Sequence, residues 1–186
     1  IAFAERVKRI GDSLGIRVFS GIECDILRDG QMDLSDEALA SLDWVVGSVH
    51  SYMNLESSEM TERYLAAIEN RYVRAIGHPT GRVLMQRESF PFDFERVASH
   101  AAKQGVLMEI NASPERLDLG DTMIRSAKAR GCKFVISTDA HHVKHLTNMR
   151  YGVLIARRGW LTRDDVVNTL SLEKFENFLR SGRSSS

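Results

Sequence analysis

Residues 44–50 read Trp44-Val-Val-Gly-Ser-Val-His50. A short, nearly unbroken apolar run that stops at a polar side chain suits a strand buried on both faces, as in a parallel sheet covered by helices. The same pattern repeats on either side. Upstream, Ile16 to Ile26 reads as a strand running into a loop, with Asp29-Gly30 as a turn signal. Downstream, Val73 to Gly77 leads to His78, Val106 to Ile110 carries Glu109, and Phe134 to Ser137 stops just before Asp139.

Helical periodicity fills the intervals. Ile1, Phe3, Ala4, Val7 and Ile10 recur at helical spacing, and Gly11 and Gly15 then break the pattern. Ser35 is placed to cap a short helix through Leu42. Tyr64, Leu65, Ile68 and Tyr72 mark a helix over residues 59–72. Phe94, Val97, Ala98 and Ala101 mark the next, and Met123, Ile124 and Ala127 another. A basic stretch around Arg150 to Arg158, a cap at Thr162 and a last helix from Leu172 to Leu179 complete the chain. This alternation predicts an α/β fold of about five parallel strands. Right-handed crossovers would let further strands close it into a barrel.

The 186 residues fit one domain, and 43% hydrophobic with 27% charged residues is ordinary for a globular protein. The 25 basic and 25 acidic residues cancel, so no overall field draws the chain to nucleic acid or membrane, although a local patch is allowed. No apolar run reaches the roughly 18 residues of a membrane-spanning helix. Two cysteines, Cys24 and Cys132, suit reduced thiols inside the cell, in the cytoplasm, better than a disulfide scaffold. Cys24 reads as a buried small hydrophobe.

The chemistry lies in where polar residues fall. Glu23, His50, His78, Glu109 with Asn111, and Asp139 with His141 all stand at expected strand ends. In a parallel α/β sheet the C-terminal strand ends share one rim, where residues distant in sequence meet. Glu23, His50, His78, Asp139 and His141 are therefore candidate metal ligands. Carboxylate and imidazole suit manganese, zinc or iron, and a carboxylate can bridge two ions. Close metal ions would neutralise phosphate oxygens and lower the pKa of a bound water toward neutrality, which removes the need for a Ser or Cys nucleophile. Each residue also has a plainer role: a hydrogen-bonded histidine, a helix cap at Asp139, or a buried or supporting carboxylate at Glu109. The convergence of five such residues on one rim favours the metal site. Arg82 and Arg116, near two strand ends, are candidate substrate contacts because guanidinium matches phosphate, with an ion pair or cap as the alternative. Arg150, Arg157 and Arg158 read as a solvated basic face before a nucleic-acid path. His100 reads as a surface residue. His142 and His145 read as solvent-facing neighbours of the Asp-x-His unit.

These residues sit in recognisable company. Gly21-Ile-Glu-Cys-Asp-Ile26, Gly47-Ser-Val-His-Ser51, Ile76-Gly-His-Pro-Thr-Gly-Arg82, Glu109-Ile-Asn-Ala-Ser-Pro-Glu-Arg-Leu-Asp-Leu119 and Ser137-Thr-Asp-Ala-His-His142 resemble the polymerase and histidinol phosphatase (PHP) domain. Met149-Arg-Tyr-Gly-Val153, Ala156-Arg-Arg-Gly-Trp-Leu161 and Val167-Asn-Thr-Leu-Ser-Leu-Glu-Lys-Phe175 resemble the version at the C-terminus of bacterial and archaeal family X DNA polymerases. The resemblance covers nearly the whole chain. It implies a distorted seven-stranded β/α barrel of TIM-like form, with up to three divalent metals at its rim, manganese or zinc before iron or magnesium. Glu23 would bridge, and His50, His78, Asp139 and His141 would be further ligands. The implied activity is phosphodiester hydrolysis, including 3′-5′ exonuclease action on DNA in repair, with a polymerase domain upstream.

The family opens its domain with a His-x-His motif and two further histidines, and none precedes Ile1. The expectation is thus one N-terminally truncated domain over residues 1–182, lacking its first strands, with 183–186 as a frayed tail or remnant. Such a chain would bind metal incompletely and have little or no nuclease activity. Its open barrel edge would invite association with other chains. Two rivals stand beside the nuclease: a phosphate monoesterase of histidinol-phosphatase type, and a non-catalytic structural or DNA-binding module.

Overall fold

Apolar runs flanked by helical patterns produce the alternation the sequence leads one to expect. The computed structural model describes residues 2–181; Ile1 and residues 182–186, the expected tail among them, lie outside the described residues. In chain order the elements are α1 (Ala2–Ser13), β1 (Gly21–Asp25), α2 (Asp36–Ala40), β2 (Trp44–Ser48), α3 (Ser57–Glu69), β3 (Ala75–Ile76), α4 (Phe94–Gln104), β4 (Leu107–Asn111), α5 (Asp121–Ala129), β5 (Phe134–Ser137), α6 (Met149–Arg158) and α7 (Leu172–Arg180). All strand pairs are parallel, and the sheet order is β1-β2-β3-β4-β5.

Because each strand lies beside the next in sequence, crossovers of one hand place their helices on one face. Burial agrees. Cys24, Val45, Ile76, Met108, Ile110, Phe134 and Ile136 pack in one cluster with Met60, Tyr64 and Ile68 of α3, Val97 and Ala101 of α4, and Ile124 of α5. Each such side chain, fully buried, stabilises the fold by about 1.5–3 kcal/mol. The alternate residues Trp44, Val46, Ala75, Leu107 and Val135 form a smaller cluster with Val167, packed by Phe175 and Phe178 of α7.

That second face changes character along the strands. Two residues further on each strand, the same side carries Asp25, Ser48, Glu109 and Ser137 in place of apolar groups. The sheet is therefore apolar underneath and polar at its C-terminal rim.

Several boundaries differ from the sequence reading. Strand β1 begins at Gly21, not Ile16, because the apolar residues before it serve another contact: Phe19 packs edge-on against Phe175, with ring centroids 5.2 Å apart. Helix α1 runs through Gly11 to Ser13. Only Ala75 and Ile76 count as β3, yet Arg74 and Gly77 still donate to Val45 and Gly47 of β2, both at 2.9 Å. Among the described residues the sheet has five strands, not the seven of the expected barrel. The outer edge of β5 is taken by a loop. Phe134 bridges to Val166, and the Asn168 side-chain amide pairs with both the N–H and the carbonyl of Ile136 at 2.8 and 2.9 Å. No helix among the described residues is long and apolar enough to cross a membrane.

Candidate metal centre

The loops that leave the polar rim are tied down from below. Arg63 of α3, buried with no carboxylate partner among its hydrogen bonds, donates to the carbonyls of Ile26, Leu27 (2.8 Å) and Ser51 (2.9 Å). One guanidinium thus joins the loops that follow β1 and β2. Gly30, at φ +86°, lets the first of these pass against α3; a Cβ there would meet Ala66 at 2.4 Å. Tyr64 donates to the Pro79 carbonyl at 2.8 Å and holds the loop after β3. Across the rim, Asp118 accepts from the Thr80 N–H at 2.9 Å, and Arg82 donates to the carbonyls of Arg116 (2.9 Å) and Leu117. Burial pushes the Asp118 carboxyl up, against the opposing bonds from Thr80.

Three of the five expected ligands meet on this frame. Glu23, His50 and His78 each present a ligand atom, all within 4.8 Å of one another. Glu23 Oε1 is 2.8 Å from His78 Nε2 and 3.3 Å from His50 Nε2. His78 is buried, with φ +26°, and its backbone N–H donates to Glu109 at 2.5 Å. A non-glycine residue in this region is uncommon and is often found at functional sites. The other ring nitrogen of His78, Nδ1, is buried without a hydrogen-bond partner.

The electrostatics follow from these contacts. Hydrogen bonds from His50 and then His78 outweigh burial and hold the Glu23 carboxyl far below the usual carboxylate range. Glu23 in turn, against burial and with help from Asp25, raises the His50 ring to about 9. Burial pushes Glu109 up, partly opposed by the His78 N–H. The hydrogen bonds from these two rings are thus what balances the Glu23 carboxylate.

Asp139 and His141 lie on the β5 side and do not join the three-residue cluster. Asp139, at φ +51°, accepts from Asn111 Nδ2 at 3.1 Å and sits 3.7 Å from Arg116 Nε. The His141 side chain is 81% exposed and directs Nδ1 to the Asp139 carbonyl at 2.9 Å. The two sides are linked through Glu109, whose Oε2 meets both the His78 N–H and Asn111 Nδ2. Asp139 does not cap a helix; His142 caps the following turn by accepting from the Lys144 N–H.

Of the remaining candidates, Arg82 commits its guanidinium to loop carbonyls, whereas Arg116 faces Asp139. His100 is half-buried on α4 with Nε2 2.6 Å from Glu69. Arg150, Arg157 and Arg158 are exposed along α6. Both cysteines are buried and free, as a packing role requires. One residue escaped the sequence reading: Asp25, whose Oδ1 lies 2.5 Å from His50 Nδ1. Its signal was present, since two residues after Glu23 on a strand is the same face.

Imidazole and carboxylate atoms converging on one point, with two of the donors carrying exchangeable protons, fit a divalent transition metal. The chain is similar to the DNA polymerase/3'-5' exonuclease PolX of Bacillus subtilis, 38% identical over 164 residues that make up 88% of this chain and 29% of that protein. It is also similar to a protein named as a probable phosphatase from Thermoanaerobacter sp. (strain X514), 28% identical over 179 residues, 89% of this chain and 69% of that one. Another so named, from Syntrophotalea carbinolica, is 29% identical over 174 residues, 89% of this chain and 70% of that one. The chain thus spans less than a third of the polymerase's length. No protein-family model matches it.

Proposed function

We propose that this chain is a metal-dependent phosphoesterase domain of the PHP type, over residues 1–182, which acts on DNA as a 3′-5′ exonuclease within a larger, cytoplasmic family X polymerase. The observation that carries this reading is the meeting of Glu23, His50 and His78 within 4.8 Å at the polar rim. Phosphatase and exonuclease activities share the hydrolysis of a phosphoester, and those are the activities that the similar proteins are named for.

Bound there, manganese or zinc would act as a Lewis acid on phosphate and would activate water at neutral pH. The chain's own residues do the rest. Glu23 would supply the carboxylate oxygen, and His50 and His78 the imidazole nitrogens, that hold the cation. Asp139 and His141 extend the donor set on the β5 side. Arg116, beside Asp139, is the guanidinium best placed to orient a phosphate; Arg82 positions it by holding its carbonyl. Glu109 fixes the His78 backbone from beneath.

A second reading, hydrolysis of a phosphate monoester, is favoured by the greater share of the phosphatase relatives that the chain spans. Turnover of 5′-labelled single-stranded DNA and of a small monoester, with manganese and with zinc, separates the two. The test applies to the 186-residue chain and to the full-length gene product. Preferential shortening of DNA, lost in Glu23→Gln, is the expected result. Faster monoester turnover favours the second reading. Absence of turnover on both, in the full-length protein, leaves a non-catalytic module.

A further inference from the structure

We propose that Asp25 is a positioning residue of the metal centre, which holds the His50 ring so that Nε2, and not a ring carbon, faces Glu23 and His78. This inference rests on the reading that Glu23, His50 and His78 bind a divalent cation.

Asp25 and Glu23 project from the same face of β1, and Asp25 pairs in register with Ser48, two residues before His50. Asp25 Oδ1 lies 2.5 Å from His50 Nδ1, while His50 Nε2 lies 3.3 Å from Glu23 Oε1. An ionised carboxylate only accepts, so the hydrogen of that contact resides on Nδ1 and Nε2 is left as the donor to a cation. A carboxylate behind a metal-binding imidazole fixes its tautomer and orientation in this way.

The two histidines differ in how much they depend on such a partner. His78 is only 3% exposed, and its backbone is held by Glu109, so packing sets its ring. The His50 ring is 38% exposed, and its two contacts with other rim residues, besides the 5.2 Å edge-to-face approach of His78, are those to Glu23 and Asp25. A ring free to turn over about its Cβ–Cγ bond presents carbon to the cation in the other orientation. Asp25 removes that freedom.

The test uses manganese alone as the calorimetric probe on the 186-residue chain, with long-range proton–nitrogen NMR of the imidazole rings in the zinc-loaded and free protein. Asp25→Ala should lower manganese affinity by about 10–100-fold. Asp25→Asn should recover part of the loss, because its amide oxygen still accepts from Nδ1. Wild-type His50 should show the proton on Nδ1 when zinc is bound, and Asp25→Ala a mixture of tautomers. If wild type binds metal and Asp25→Ala binds as tightly with the same ring spectrum, the positioning role is overturned while the metal centre stands. If wild type binds no metal, the metal centre fails and the role falls with it. Should Asp25→Ala not fold, Asp25→Leu fills the same space and cannot accept; weakened manganese binding with mixed tautomers then supports the role, and unchanged binding with an unchanged ring spectrum overturns it.

Discussion

At the β1–β3 end of the rim, Glu23 meets two imidazoles; at the β4–β5 end, Asp139 meets an amide and a guanidinium. Glu23 projects from the middle of β1 and Asp139 from just beyond β5, and both have found donor partners. The partners differ in kind. Imidazole can give up a proton and then offer a lone pair, whereas arginine stays charged and offers none. A cation can therefore replace protons at the first end. At the second it would compete with the Arg116 guanidinium beside Asp139. One end offers groups that bind a metal directly, and the other already holds a fixed cation nearby.

The largest effect should come from the frame under the first end. Arg63→Ala strands four loop carbonyls and leaves a cavity, with an expected loss of roughly 3 kcal/mol or more in urea unfolding. Arg82→Ala, which frees two carbonyls at a half-buried site, should cost about half as much. Equal losses would erase the distinction between the two frames.

Metal affinity sharpens the comparison next. Glu23→Gln should reduce manganese binding by on the order of 100-fold or more, since even supporting partners are worth about 10–100-fold. Asp139→Asn should reduce it by less than about 10-fold. The reverse order, read by calorimetry, would make β4–β5 the primary site. A smaller effect is expected at Arg116→Gln, which frees Asp139. Partly exposed ion pairs are worth ~1 kcal/mol or less, so affinity for a second cation should rise by at most about five-fold.

How far the sequence could be read differs between the two ends for the same reason. The strands were legible because Trp44–Ser48, Leu107–Asn111 and Phe134–Ser137 are largely buried on both faces and so read as mainly apolar runs, with Glu109 the one charged interruption among them. The start of β1 was not, because Phe19 is apolar for the sake of Phe175, which lies far along the chain. Strand ends located Glu23, His50 and His78. They did not reveal that Asp139 is engaged by Arg116, a contact set by the loop at 113–118 and not by any period. Asp25 was legible by parity but hidden beside the more conspicuous Glu23. Arg63 reads as one charge on a helix; only its four carbonyl partners show what it holds.

The smallest effect lies away from the rim and serves as a control. Burial pushes the Asp165 carboxyl up, but Lys128 at 2.8 Å, with the Thr162 N–H and hydroxyl, outweighs it and holds the group at about 2. A carboxyl held below its ordinary value contributes stability that is complete above a pH of about 4 and lost as pH falls through about 2. Asp165→Asn should therefore flatten the loss of stability in that window, read as urea midpoints at a pH of about 5 and about 2.5. Metal affinity should not change. A change would mean that the rim is coupled to the far side of the sheet.

The most direct test is an anomalous difference map from crystals of the chain soaked in zinc. The expected result is a peak about 2.0–2.2 Å from Glu23 Oε1, His50 Nε2 and His78 Nε2, with any second, weaker peak near Asp139. Zinc bound at Asp139 and His141 with nothing among Glu23, His50 and His78, or no peak at the rim at all, would contradict it.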